Sequence, residues 1–228
     1  MANYVSASTK IKKIQKYLLS KINYRLLRKF LRNDQVCVLD FGCGAGDTLV
    51  ALSKFSNKLN LTGCDINSEY INYARSRVTS SVNIITNQDL KLALSTKPRS
   101  YDVIVCLQVI EHINDPSEFY SFCDTALKPG GILFVTTPNL SGIAPKLIGN
   151  KWHGFDDEEH VNLYTKERLE REIKNNNYDI LFSGSSFLSG LPMIKKTPLR
   201  IINDFTYFIL GYQGWNIGDS LAVIAKKI

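Results

Sequence analysis

From Val36 onward the chain alternates short apolar runs with stretches whose apolar residues recur every three or four positions. The runs at Val36–Phe41, 60–65, 82–87, Tyr101–Leu107 and 131–137 have the length and β-branched content of strands. Between them, 47–56, 68–79 and 116–127 carry helical periodicity. Ser68 with Glu69 supplies an N-cap pattern, and Pro116 suits a first helical turn. "LKPGG", 127–131, stops the third helix and turns the chain. Strand and helix in regular alternation predict a parallel sheet with helices on both faces, which binds ligands beyond the carboxyl ends of its strands. After Asn139 the rhythm breaks into a long polar and aromatic loop, "LSGIAPKLIGNKWHGFDDEEH". A helix over 165–175, a strand over 178–183 and a closing strand over 219–227 follow.

Ahead of the first strand, Ile11, Ile14, Leu18, Ile22, Leu26 and Phe30 trace one face of an amphipathic helix. Nine basic residues and no acid lie between Lys10 and Arg32, so this segment holds the excess behind the net charge of +7. Its basic face is either solvated or attracted to an anionic partner: a membrane surface, nucleic acid or a charged substrate. At 228 residues and 44% hydrophobic, the chain is sized for one domain with a sizeable core. We divide it into a basic segment (1–34), a binding core (35–139) and an acceptor-side remainder (140–228). No apolar run reaches the roughly 18 residues a membrane span needs, and the first residues lack the apolar centre of a secretory signal. Five cysteines without CxxC spacing argue against a disulfide framework or zinc site, and for a reducing, cytoplasmic setting.

The chemistry concentrates in "VLDFGCGAGD", 38–47. Gly42, Gly44 and Gly46 leave a strand and open a helix, where a ligand can lie against bare backbone. Dinucleotide binding wants Gly-x-Gly-x-x-Gly, but Asp47 stands at the last glycine's place. Carboxylates at both ends of the loop, Asp40 and Asp47, repel phosphate and favour a cationic ligand. Asp65, 25 residues after Asp40, is placed to accept hydrogen bonds from a ribose diol. After the third strand, Asp89 and Leu90 are placed for an adenine's exocyclic amine and ring face.

With these acids at three successive strand tips, the sequence resembles the class I S-adenosylmethionine-dependent methyltransferases. It lies nearest to the ubiquinone-biosynthesis O-methyltransferase-like group. "VLDFGCGAGD", "GCDIN" and "NQDL" resemble the first three motifs, and "YDVIVCLQVIEHINDP" and "LKPGGILFVTTPN" the fourth and fifth strand regions. The resemblance implies a Rossmann-like, doubly wound α/β sheet of seven strands, mostly parallel with an antiparallel last strand. It implies S-adenosylmethionine as cofactor, with Asp40 and the glycine loop, including Cys43, at the methionine end. Asp65 and Ile66 then serve the ribose, Gln88, Asp89 and Leu90 the adenine, and Leu107 and Gln108 the neighbourhood of the methyl group.

In that family a Glu-x-x-Glu-His run, with a His downstream of "TPN", gathers a divalent metal at the acceptor hydroxyl. Here the matching residues are Gln108, Glu111, His112 and His160, so a neutral amide replaces the first acid. Three readings of Glu111, His112 and His160 stay open: a metal site, a metal-free general base or acceptor-orienting group, and purely structural side chains. Trp152, His153 and Phe155 either line an acceptor pocket or anchor the loop, and the acids over 156–159 read as a solvated face. The insertion over 187–215 reads as a lid, a peripheral membrane contact or ordinary packing. The expected activity is O-methylation of a small-molecule, glycan or lipid-linked acceptor. Two alternatives are RNA 2′-O-methylation, which draws on the Glu-His run and the basic segment, and a non-catalytic cofactor-binding partner.

Overall fold

The computed structural model describes residues 35–55, 58–186 and 211–228, together with Asn23, Arg25, Leu27 and Lys29. Seven strands form one sheet: β1 (Val36–Phe41), β2 (Leu59–Asp65), β3 (Asn83–Thr86), β4 (Tyr101–Leu107), β5 (Leu127–Pro138), β6 (Tyr178–Ser186) and β7 (Ser220–Lys227). Their spatial order is β3-β2-β1-β4-β5-β7-β6. The pairs among β1 to β5 are parallel, whereas β7 runs antiparallel to both β5 and β6. The chain steps outward from β1 through β3 and then returns to β4 at the other side of β1. That reversal opens a crevice at the carboxyl ends of β1 and β4, where such sheets take ligands.

Alternation along the strands builds two cores. Val38, Val103, Val105, Phe134 and Ile224 point into one cluster, while Leu39, Ile104, Cys106, Leu133 and Val223 point into the other. Both faces of the central strands are therefore buried, which is why they read as continuous apolar runs. Leu27, from the basic N-terminal segment, packs into the first cluster. Apart from Asn23, Arg25 and Lys29, the rest of the predicted helix there, and the 187–210 part of the predicted insertion, lie outside the described residues.

The helices are α1 (Asp47–Phe55), α2 (Ser68–Arg77), α3 (Asn87–Thr96), α4 (Pro116–Ala126), α5 (Ile143–Ile148), α6 (His153–Asp156) and α7 (Lys166–Asn175). A short 3-10 turn, Ile110–His112, follows β4. Asn67, not Ser68, caps α2, its side chain accepting from the Glu69 and Tyr70 amides. Asp115 caps α4, with Pro116 in its first turn. Helix α3 is absent from the sequence reading, although Thr86 and Asp89 form a complete capping box at its start. "LKPGG" is both a stop and a turn, but inside a strand: Tyr101 pairs with Leu127 and Val103 with Ile132, so residues 128–131 bulge out opposite Asp102. Among the described residues no helix is long and apolar enough to cross a membrane, and all five cysteines are free.

Candidate active site

Asp40 sits near the carboxyl end of β1, in register with Gly63 of β2 and Val105 of β4. It is 2% exposed, and its Oδ2 has no hydrogen-bond partner among the described residues. Burial, reinforced by the neighbouring Asp65, pushes its carboxyl up from the ordinary 3.8 to about 7. A buried carboxylate with an idle oxygen is a receptor for a cationic group.

The three glycines divide their tasks. A Cβ on Gly42 would lie 2.5 Å from Val109 Cγ2, and one on Gly46 3.1 Å from the Ala74 Cβ, so both make room for protein. Only Gly44, at φ +49°, has nothing within 4 Å of that position. This is the backbone a ligand can approach, narrower than the whole loop expected from sequence. Arg77 ties the loop down from α2, its Nη1 donating to the Ala45 carbonyl and its Nη2 to Asp47 Oδ1, both at 2.6 Å. Asp47 is thus ion-paired with a cation, which corrects its expected part as a second acid repelling phosphate from the loop.

Asp65 closes β2 with Oδ2 accepting from the Gly44 amide (2.8 Å) and Oδ1 from the Asn67 amide (2.9 Å). Each oxygen keeps a lone pair for a further donor. The structure therefore brings Asp40, Gly44 and Asp65 to one place. Cys43, nearly buried, keeps its thiol protonated through burial and the nearby acids. Ile66, which follows Asp65 in the chain, is 87% exposed, an apolar surface open to solvent. Gln88 is exposed at the start of α3. Asp89 spends Oδ2 on the capping box, and the Leu90 side chain is packed in the second core, so it presents no apolar surface to a ring outside. Leu107 ends β4 and is partly buried. Gln108 after it adopts a left-handed φ of 56°, its Nε2 donating to Thr136 Oγ1 at 3.2 Å.

Beyond Gln108 the 3-10 turn carries Glu111 and His112. Glu111 is 1% exposed; its Oε2 accepts from Thr137 Oγ1 (3.0 Å), and Oε1 has no partner among the described residues. Burial pushes its carboxyl up to about 7, against the pull of the Thr137 hydrogen bond and His112. The long loop brings His160 over this turn, with the two imidazole centroids 4.8 Å apart. One potential metal-binding atom from each of Glu111, His112 and His160 lies within 4.8 Å of the others. His112 Nδ1 faces the Glu159 carbonyl at 3.0 Å, and His160 Nδ1 the Gly154 carbonyl at 3.1 Å. A carbonyl only accepts, so the neutral His112 ring carries its proton on Nδ1 and its lone pair on Nε2, whereas His160 has an acceptor at each nitrogen, with Asp157 Oδ2 3.6 Å from its Nε2. One carboxylate and two imidazoles suit a borderline divalent ion better than Mg²⁺. Trp152 is fully buried and stacks edge-on to Phe155, so it anchors the loop, while Asp157, Glu158 and Glu159 are exposed.

A methyltransferase-domain family model matches residues 11–182. The chain belongs to that family. Among curated relatives, a ubiquinone biosynthesis O-methyltransferase of Colwellia psychrerythraea is 33% identical over 109 residues, 46% of this chain and 42% of the relative. One of the same name from Serratia proteamaculans is 34% identical over 121 residues, 52% of this chain and 49% of the relative. The matched stretch thus spans about half the length of these relatives. The methyltransferase fold extends further. A SAM-dependent methyltransferase from Archaeoglobus fulgidus superposes with TM-score 0.62 at 18% identity, covering 97% of this chain and all of that one. Another, from Aquifex aeolicus, gives the same score and identity over 98% of this chain and 100% of its own. S-adenosylmethionine is the methyl donor that the family and the fold imply. Sequence reasoning assigned no role to Arg77, Thr137 and Asn162, whose partners lie 32, 26 and 49 residues away, or to Arg168, which bonds to Asn162 six residues before it.

Proposed function

We propose that this methyltransferase methylates a hydroxyl oxygen of a small-molecule acceptor, a class that includes a glycan or lipid-linked hydroxyl. The observation that carries the reading is the meeting of Glu111, His112 and His160 beside the carboxyl end of β4. When bound, the cofactor supplies a methyl group on a sulfonium, reactive enough that the protein's main tasks are approach, orientation and handling of the acceptor's proton. Asp40 accepts the cofactor's ammonium, the Gly44 backbone lets its methionine end lie close, and Asp65 accepts from the ribose. Ile66, Gln88 and Asp89 surround the base, while Leu107 and Gln108 flank the path to the acceptor. His112, exposed toward solvent with its lone pair on Nε2, takes the acceptor's proton; His160 and the idle Oε1 of Glu111 orient the hydroxyl. A divalent ion held by the same three residues would lower the hydroxyl's pKa instead.

Transfer of labelled methyl from S-adenosylmethionine into fractionated extract, with and without chelator, tests the reading. Label in an ether or ester of a small acceptor, lost by about 10²-fold or more in His112→Ala with cofactor binding retained, is the expected result. Label confined to nitrogen or to RNA overturns it. Sensitivity to chelator assigns the cluster to an ion rather than to a free base.

A further inference from the structure

The 3-10 turn that carries Glu111 and His112 has no side-chain cap of its own. Its exposed carbonyls are instead taken up from the opposite loop by a single residue. The Asn162 backbone amide donates to the Glu111 carbonyl at 2.9 Å, and its side-chain Nδ2 donates to the Ile113 carbonyl at 2.6 Å. The two bonds bracket His112. Between Asn162 and His160 only Val161 intervenes, and the Glu159 carbonyl just before His160 receives His112 Nδ1. One short stretch of loop, 159–162, therefore grips the turn at three successive residues and delivers His160 to it.

An asparagine amide can face either way, but here the surroundings decide. Arg168 Nη2 lies 2.8 Å from Asn162 Oδ1. Guanidinium only donates and the Ile113 carbonyl only accepts, so the oxygen must face Arg168 and the NH₂ must face the turn. Arg168 is itself fixed, by Glu172 Oε1 through Nε (2.9 Å), by the Leu163 carbonyl through Nη1 (2.9 Å) and by the Tyr164 ring 4.6 Å below it. Helix α7 thus holds Arg168, Arg168 orients the Asn162 amide, and Asn162 holds the turn.

We propose that Asn162 is a positioning residue for the acceptor site: oriented by Arg168, it sets the placement of His112 against His160 and Glu111. The proposal rests on reading that cluster as the place where the acceptor's proton is handled, but its geometric half stands without it. Asn162 touches neither cofactor nor the reacting oxygen in this account. Its effect passes entirely through the turn.

Asn162→Asp is the sharpest test, because shape and the Arg168 partnership are kept while an oxygen is set against the Ile113 carbonyl. The expected result is a fall in kcat of about 10²-fold. Cofactor Kd by calorimetry should stay within about twofold, because the Asp40 and Asp65 region is untouched. Two-bond proton–nitrogen correlations of the histidine rings should show His112 losing its uniform Nδ1–H tautomer, a readout that a merely structural role would not move. Should Asn162→Asp melt below the assay temperature, Arg168→Met, which leaves Asn162 in place, carries the same readouts. Unchanged ring correlations overturn the proposal, whatever happens to kcat. An altered ring signature in a protein that methylates no hydroxyl supports the positioning role while removing the function proposed above.

Discussion

Burial and Asp65 lift the Asp40 carboxyl to about 7, so near neutrality this group is poised between two states. In the proposed complex the cofactor's ammonium favours the ionised one, so binding below that pH expels a proton. Affinity for S-adenosylmethionine should rise about tenfold per pH unit up to about 7 and then level off. Calorimetry in buffers of different ionisation heat reads both the affinity and the proton released. Asp40→Asn should weaken binding by roughly 10- to 100-fold, the worth of one charge-assisted hydrogen bond. The same residue acts oppositely on stability. Its folded pKa lies above the unfolded one, so the cofactor-free protein binds the extra proton from about pH 4 to 7 and loses stability as pH rises through that window. Asp40→Asn should therefore melt higher than the parent at pH 8 while gaining less from added cofactor, which thermal denaturation with and without cofactor will show.

Among the elements, α3 joins a local rule to the proposed base contact. Thr86 Oγ1 accepts from the Asp89 amide at 3.0 Å and donates to Asp89 Oδ2 at 2.8 Å. Thr86→Val should cost about 1 kcal/mol, some 2–4 °C in Tm for a chain of this size, and leave cofactor affinity unchanged. Asp89→Ala should lose the same cap and weaken cofactor binding as well; equal affinities in calorimetry would reduce Asp89 to a capping residue. This capping box was legible in "TNQD", yet α3 escaped the sequence reading because its polar start hides the two buried leucines, Leu90 and Leu94. The central strands β1 and β4 and the inner part of β5 were legible because their two-sided burial writes nearly unbroken apolar runs. Asp40 and Asp65 were legible for a related reason: both stand at the ends of such runs, where the topology gathers them. The Arg77 pairing with Asp47 was not, because 30 residues separate them and only the packing of α2 against the loop brings them together. Nor was the split among the glycines, which depends on Val109 and Ala74 arriving from other elements.

Over the whole molecule, the reversal of strand order between β1 and β4 sets Asp40, Gly44 and Asp65, proposed here for the cofactor, on one side of the crevice and the Glu111–His112 turn on the other. A ligand lodged there touches elements from both halves of the sheet, so binding should stabilise the described fold as a unit. At about 100 times its Kd, S-adenosylmethionine should add about 2.7 kcal/mol, roughly 5–10 °C in Tm. A shift confined to a local probe, with no change in global melting, would contradict that coupling. The double grip of Arg77 on Ala45 and Asp47 bears on the speed of this event. A bend bolted from behind has little left to arrange when its nucleoside arrives. Association should then follow a single phase linear in ligand concentration, and cutting the bolt with Arg77→Ala should introduce a slow, saturating step in stopped-flow traces.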